Sequence, residues 1–209
     1  MVNENRPIRV CISILNWNNA DDTLTCLASI PPSKGFDPEI VVLDNGSSDE
    51  SLEILKQRSD ITLLRSDSNL GFAGGHNRVM RHALEQGFDY VWLLNNDAEV
   101  EGDCLEQLVR AALSDPGIGL LSPAIKDRRQ PQRYQHVLSL LDTTTTSVQE
   151  FTSPAQAVEQ QQRYPEKIIL WGTGLLVRRE LIERIGYFDE QLFAYAEDTD
   201  YSLRCLAAG

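Results

Sequence analysis

The sequence predicts an α/β domain: a mostly parallel β-sheet with helices on both faces, in a single domain over residues 1–209. Three observations predict it. Strand-like and helix-like patterns alternate from Ile8 to Ile125, the order that gives parallel strands joined by helical crossovers. The run Tyr90 to Leu94 is apolar at every position, as a central strand covered on both faces requires. Three of the strand-like runs stop abruptly in Asn or Asp.

Each element follows from its residues. Ile8 to Leu15 is β-branched and reads as a buried strand ending at Asn16. A helix follows, with Asn19 as its cap, Asp21 and Asp22 at its positive end, and Leu24, Leu27 and Ala28 as the buried stripe. Pro31-Pro32 stops it. Glu39 to Leu43 is the second strand, Asp44-Asn45-Gly46-Ser47 the turn, and Ser47-Ser48-Asp49-Glu50 a capping box for a helix that buries Leu52 and Leu55. Ile61 to Leu64 is a short third strand. Gly71 to Gly87 carries a third helix, with Phe72, His76, Val79, Met80, Ala83 and Leu84 at helical spacing. The fourth strand, Tyr90 to Leu94, runs into Asn95-Asn96-Asp97. A helix from about Glu101 to Leu113 and a strand from Gly119 to Ile125 come next. The periodicity then fades between Arg128 and Glu166, which reads as an insertion or substrate-side excursion without assigned elements. Ile168 to Val177 restores order, followed by a helix over Arg179 to Ile185 and a last helix from near Asp198.

Composition narrows the function. The net charge is −12, with 31 acidic against 19 basic residues, which excludes nucleic acid as the main partner because a phosphate backbone demands a Lys/Arg-rich face. An anionic substrate would have to be held by a local device. Cys11, Cys26, Cys104 and Cys205 are far apart and form no Cys-x-x-Cys pair, and no His is near any of them, so they read as small apolar residues of a reducing compartment. The polar start Met-Val-Asn-Glu-Asn-Arg-Pro has no signal-peptide core, and the longest apolar stretch, Ile168 to Val177, is about half of the ~20 residues a membrane span needs. A cytoplasmic protein without a transmembrane segment is the expectation.

In an open parallel sheet, ligands bind beyond the carboxyl ends of the strands, near the switch in strand order. Asn16, Asp44-Asn45 and Asn95-Asn96-Asp97 all fall there. Each alone could be a cap or turn; together they point to a site. Asp97 is the candidate ligand for a hard divalent cation such as Mg²⁺, which would let an acidic protein hold a diphosphate. Asp44 suits a base N–H or a ribose hydroxyl. Gly71-Phe72-Ala73-Gly74-Gly75 is compatible with phosphate at a helix start but reads first as close helix packing, since neither Gly-x-Gly-x-x-Gly nor a Walker lysine is present. Glu197-Asp198-Thr199-Asp200 places three carboxylates within four residues, so mutual repulsion would raise at least one pKa. That cluster is either an acidic helix start or a general base at a substrate site.

The motifs Val41-Val42-Leu43-Asp44-Asn45-Gly46-Ser47-Ser48-Asp49, Asn69-Leu70-Gly71-Phe72-Ala73-Gly74-Gly75-His76-Asn77, Leu94-Asn95-Asn96-Asp97, Trp171-Gly172-Thr173-Gly174, Phe188-Asp189-Glu190 and Glu197-Asp198-Thr199-Asp200 occur in that order. The set closely resembles the family 2 glycosyltransferases of the GT-A fold, in particular the rhamnosyltransferase-like branch, over nearly the whole chain outside about 128–166. The resemblance implies inverting transfer of a sugar from a nucleoside-diphosphate sugar to a hydroxyl of a glycan or lipid-linked acceptor. dTDP-rhamnose is the weakly indicated donor, and the inner face of the plasma membrane a place of work. It implies Asp44 as the base-binding carboxylate, with Asn16, Asn45, Asn77 and Asn96 on the nucleotide side. It places Asn95 and Asp97 at the metal motif for Mg²⁺ or Mn²⁺, Asp198 as catalytic base and Glu197 as its catalytic support.

Two departures stand out. Asn95 replaces the first aspartate of the metal motif, which leaves one charge fewer. The chain also ends at Gly209, inside a helix that relatives continue, so a truncated acceptor half (about 128–209, after a nucleotide half of about 1–127) is expected. A nucleotide-sugar-binding module without turnover is the alternative. A receiver domain would need an acidic pair after strand one, where Asn16-Trp17-Asn18 stands. A nucleotidyltransferase would need a basic, Gly-rich loop there.

Overall fold

A computed structural model describes residues 6–32 and 35–209. The predicted α/β architecture is present. A six-stranded sheet has the order β3-β2-β1-β4-β11-β5. Its strands are β1 (Arg9–Asn16), β2 (Asp37–Asn45), β3 (Thr62–Ser66), β4 (Tyr90–Leu94), β5 (Leu120–Leu121) and β11 (Gly174–Arg178). β1 pairs in parallel with both β2 and β4, and β2 with β3. β11 is antiparallel to β4 and β5, so the sheet is mixed at that edge. Winding leaves β1 toward β2 and β3, then returns to β4 on its other side. The switch in strand order therefore lies between β1 and β4, where the carboxyl ends carry Asn16 and Asn95.

Two apolar layers sandwich the sheet. Cys11, Leu43, Val91, Leu93 and Val177 face α3 (Gly71–Glu85), α6 (Arg179–Ile185) and α7 (Glu197–Ala208), which contribute Val79, Met80, Ile182 and Tyr201. Ile12, Ile14, Val42, Trp92 and Leu176 face α1 (Ala20–Ser29), α2 (Ser51–Leu55) and α4 (Cys104–Ser114), which contribute Leu27, Leu55, Leu105 and Val109. The alternation along β4 explains its unbroken apolar sequence: both of its faces are covered.

Several local expectations are corrected. The stripe of α1 is Ala20, Thr23, Cys26 and Leu27, while Ala28 is exposed and Leu24 only half-buried. The capping box at Ser47 to Glu50 does not form. α2 starts at Ser51, whose N–H donates to Asp49 Oδ1, while Ser47 Oγ is used by Asn16 and Asn18. The expected strand at Gly119 to Ile125 is divided into β5 and β6 (Ile125–Asp127), and that at Ile168 to Val177 into β10 (Ile168–Ile169) and β11, with a short loop between each pair. Segment 128–166 is ordered. It forms β7 (Gln130–His136), β8 (Leu138–Asp142), β9 (Ser147–Phe151) and α5 (Pro154–Arg163) around a small core of Leu138, Leu140, Phe151 and Ala157. Its short core and polar outer face explain why periodicity did not reveal it. Of the cysteines, Cys11 and Cys26 are buried and Cys104 and Cys205 half-buried. The start of the chain, used to argue against a signal peptide, lies mostly outside the described residues. Among the described residues, no helix is long and apolar enough to cross a membrane.

Candidate functional site

The strand ends build the site. Asn16 and Asp44 are register partners at the last pair of β1 and β2, so their side chains emerge side by side. Asn16, fully buried, donates from Nδ2 to Asp44 Oδ1 at 3.2 Å and to Ser47 Oγ at 3.1 Å, and accepts at Oδ1 from Thr23 Oγ1 at 2.8 Å. Thr23 also accepts from Asn96 Nδ2 at 3.1 Å. One hydrogen-bonded string thus joins β2, β1, α1 and the end of β4. Asp44 takes a further bond from the Ser47 N–H and keeps acceptor capacity for a ligand. Gly46 fixes this turn: its φ is +76°, and a Cβ there would stand 2.4 Å from the Ser68 carbonyl carbon.

Asn45 and Asn77 are both buried and hydrogen-bonded to neighbouring segments. Asn45 is buried, donates to Asn69 Oδ1 and the Gly71 carbonyl, and accepts from the Leu70 N–H, so it braces the entry to α3. Asn77 exchanges two bonds with the Phe188 backbone and donates to Glu190 Oε1, so it anchors the segment before α7. The Gly71 to Gly75 run packs closely rather than presenting N–H groups to phosphate. Gly75 lies against Leu15, and the first amides of α3 are taken: Gly71 by Asn69 Oδ1, Phe72 and Ala73 by the Phe193 carbonyl.

Asp97 is exposed just past β4, and Asn95 beside it is half-buried. Among the described residues no group of three His, Cys, Asp or Glu side chains could hold a metal ion. A cation at Asp97 would complete its shell with water and ligand oxygens, which Mg²⁺ and Mn²⁺ accept readily.

The acidic cluster opens α7. Asp198 Oδ2 accepts from the Gly172 N–H at 2.9 Å and Oδ1 from the Thr199 N–H at 2.7 Å. Glu197 is 5% exposed, and its Oε2 is buried without a partner. Burial, more than the adjacent Asp198 charge, pushes its carboxyl above the usual range. The short loop between β10 and β11 links the two halves. Thr173 O accepts from the Asn95 N–H at 3.1 Å, one residue from the Gly172 bond to Asp198. Leu170 N–H donates to Ser202 Oγ of α7. Sequence reasoning missed Thr23, Ser47, Gly172 and Thr173. The last two lie in the Trp-Gly-Thr-Gly motif, but their contribution is backbone, which residue types do not announce.

Comparison with known proteins gives the fold and the family. A mannosyltransferase from Pyrobaculum calidifontis, solved with GDP-Man and Mn²⁺, superposes with a TM-score of 0.68 at 21% identity, covering 96% of this chain and 52% of that one. TarS 1-349 of S. aureus superposes at 0.63, with 18% identity, 95% of this chain and 55% of the other. The fold is therefore GT-A. The glycosyl transferase family 2 model matches residues 10–186, and the chain belongs to that family. Similar relatives include an N-acetylglucosaminyl-diphospho-decaprenol L-rhamnosyltransferase of Mycobacterium tuberculosis (28% identical, 88% of this chain, 66% of the relative). A dTDP-rhamnosyl transferase, RfbF, of Shigella flexneri is 23% identical over 81% of this chain and 54% of its own length. The chain thus spans about 54 to 66% of these relatives.

Proposed function

We propose that the chain is the catalytic core of an inverting glycosyltransferase. It would move a sugar from a nucleoside-diphosphate donor, with dTDP-rhamnose the first candidate, to a hydroxyl of a glycan or lipid-linked acceptor at the cytoplasmic face of a membrane. The observation that carries this reading is the 170–173 loop, which contacts the Asn95-Asn96-Asp97 segment at Thr173 and the Asp198 carboxylate at Gly172. In this reading the loop would hold the leaving-group side and the proton-accepting side in fixed relation.

In this reading Asp44 accepts a base N–H, and Asn16 holds that carboxylate in place. Asp97, with Asn95 beside it, is the ligand for Mg²⁺ or Mn²⁺. A bound cation would supply charge neutralisation for the departing diphosphate. Asp198 takes the proton of the acceptor hydroxyl as its oxygen attacks from the side opposite the leaving group, which inverts the anomeric centre. Glu197, buried beside the base with its carboxyl pushed above the usual range by that burial, serves as its support. Asn45, Asn77 and Asn96 act at one remove, by holding loops.

A thermal-shift panel tests this: dTDP-, UDP- and GDP-sugars, each with and without Mn²⁺, on the wild type and on Asp97→Asn. One donor should raise Tm in a metal-dependent way, and Asp97→Asn should lose the metal-dependent part. No stabilisation by any donor with metal present would sink the reading.

A further inference from the structure

We infer that His136 is a positioning residue for Asp198, acting through the stacked ring of Trp171 and the Gly172 N–H. The inference rests on the reading of Asp198 as the base. It gives segment 128–166 a catalytic task that its sequence does not disclose.

β7 ends at His136, which is 2% exposed. Its ring lies on Trp171 with centroids 3.8 Å apart and planes 13° from parallel. Nε2 is 2.9 Å from Ser139 Oγ of β8, which sets the ring's rotation. Trp171 is held at its other end by Ser122 Oγ, 3.4 Å from the Trp171 carbonyl oxygen. The next residue, Gly172, gives its N–H to Asp198 Oδ2. The stack therefore fixes the peptide that aims the proton acceptor.

The charge state suits this role. Burial pulls the imidazole down to about 4, so the ring is neutral near pH 7 and packs as a flat, uncharged face; the nearby Asp198 charge opposes that shift only in part. A cationic ring would instead draw Asp198 toward itself and away from an acceptor hydroxyl. His136 Nδ1 is buried without a partner, so the ring is held by its stack and by the single Nε2 contact.

Two substitutions separate stacking from simple space-filling. His136→Leu fills the volume without a flat face, and His136→Phe keeps the face. Both are assayed for transfer from dTDP-rhamnose, or from whichever sugar nucleotide stabilises the protein most, alongside binding of the same nucleotide. His136→Leu should lower kcat about 10- to 100-fold, with donor affinity and Tm close to wild type, since misplacing a catalytic group by about 1 Å has that scale of effect. His136→Phe should recover most of the rate. The inference fails if His136→Leu leaves kcat unchanged, if its rate falls only in step with lost folded protein or lost donor binding, or if His136→Phe is as slow as His136→Leu. Asp198→Asn, run in parallel, distinguishes the two levels: full transfer there removes the base reading itself, whereas lost transfer there with a normal His136→Leu removes only the stack's role.

Discussion

Gly172 and Asp198 are 26 residues apart, and a 2.9 Å hydrogen bond from the backbone N–H of one to the carboxylate of the other joins the β10–β11 loop to the start of α7. The bond uses Oδ2, while Oδ1 rests on Thr199. Both oxygens are oriented by backbone N–H donors, so the side chain is preorganised.

Asp198→Asn tests that arrangement directly. The amide oxygen can still accept one of these N–H bonds, so the fold and donor binding should persist. The ability to take a proton is lost, and transfer should fall at least ~100-fold. Steady-state kinetics beside nucleotide titration checks both halves.

Asp44→Ala removes the acceptor that Asn16 and the Ser47 turn hold in place. A lost charged hydrogen bond to a ligand costs about 1.5–3 kcal/mol, so the nucleoside diphosphate should bind roughly 10- to 150-fold more weakly. Asn16→Ala should weaken binding less, because it acts through Asp44. Calorimetric titration ranks the two, and equal or reversed losses would contradict the geometry.

Gly71→Ala probes the junction of α3 with the segment before α7. Gly71 has φ +71°, and a Cβ would stand 2.3 Å from the Phe193 carbonyl oxygen that caps α3. Backbone strain of about 1–3 kcal/mol adds to loss of the cap, so a Tm drop of several degrees is expected. Gly87 also has positive φ, yet nothing lies within 4 Å of its Cβ position, so Gly87→Ala should cost less.

His76 sets an acid limb of stability. It is buried between α3 and β1, where Ser13 Oγ lies 2.8 Å from Nδ1, and burial pulls its pKa to about 3. The unfolded chain titrates near 6.5, so it binds the proton first as pH falls. Stability is full above about 6.5 and declines from there toward 3, by ~2 kcal/mol between pH 7 and 5. His136 contributes in the same direction. Thermal melts of the wild type and His76→Gln at pH 7 and 5 isolate the His76 share: the wild type should lose more on acidification, and parallel losses would contradict the assignment.

The local pattern of the sequence was sufficient for β1, β4, α3 and α6, because their apolar spacing reports directly which faces are covered. It also placed Asn16, Asp44, Asn95 and Asp97 at strand ends, because a parallel sheet presents its carboxyl ends together. Only the tertiary structure decided the rest. It turned Asn45 and Asn77 into braces, since their amides meet backbone groups 25 or more residues away. It made β11 antiparallel through pairing with β4, a long-range choice that a five-residue apolar run does not encode. And it brought His136 and Trp171 to Asp198 through stacking and one backbone N–H, contacts that leave no periodicity in the chain and depend on where β7 and the 170–173 loop come to rest.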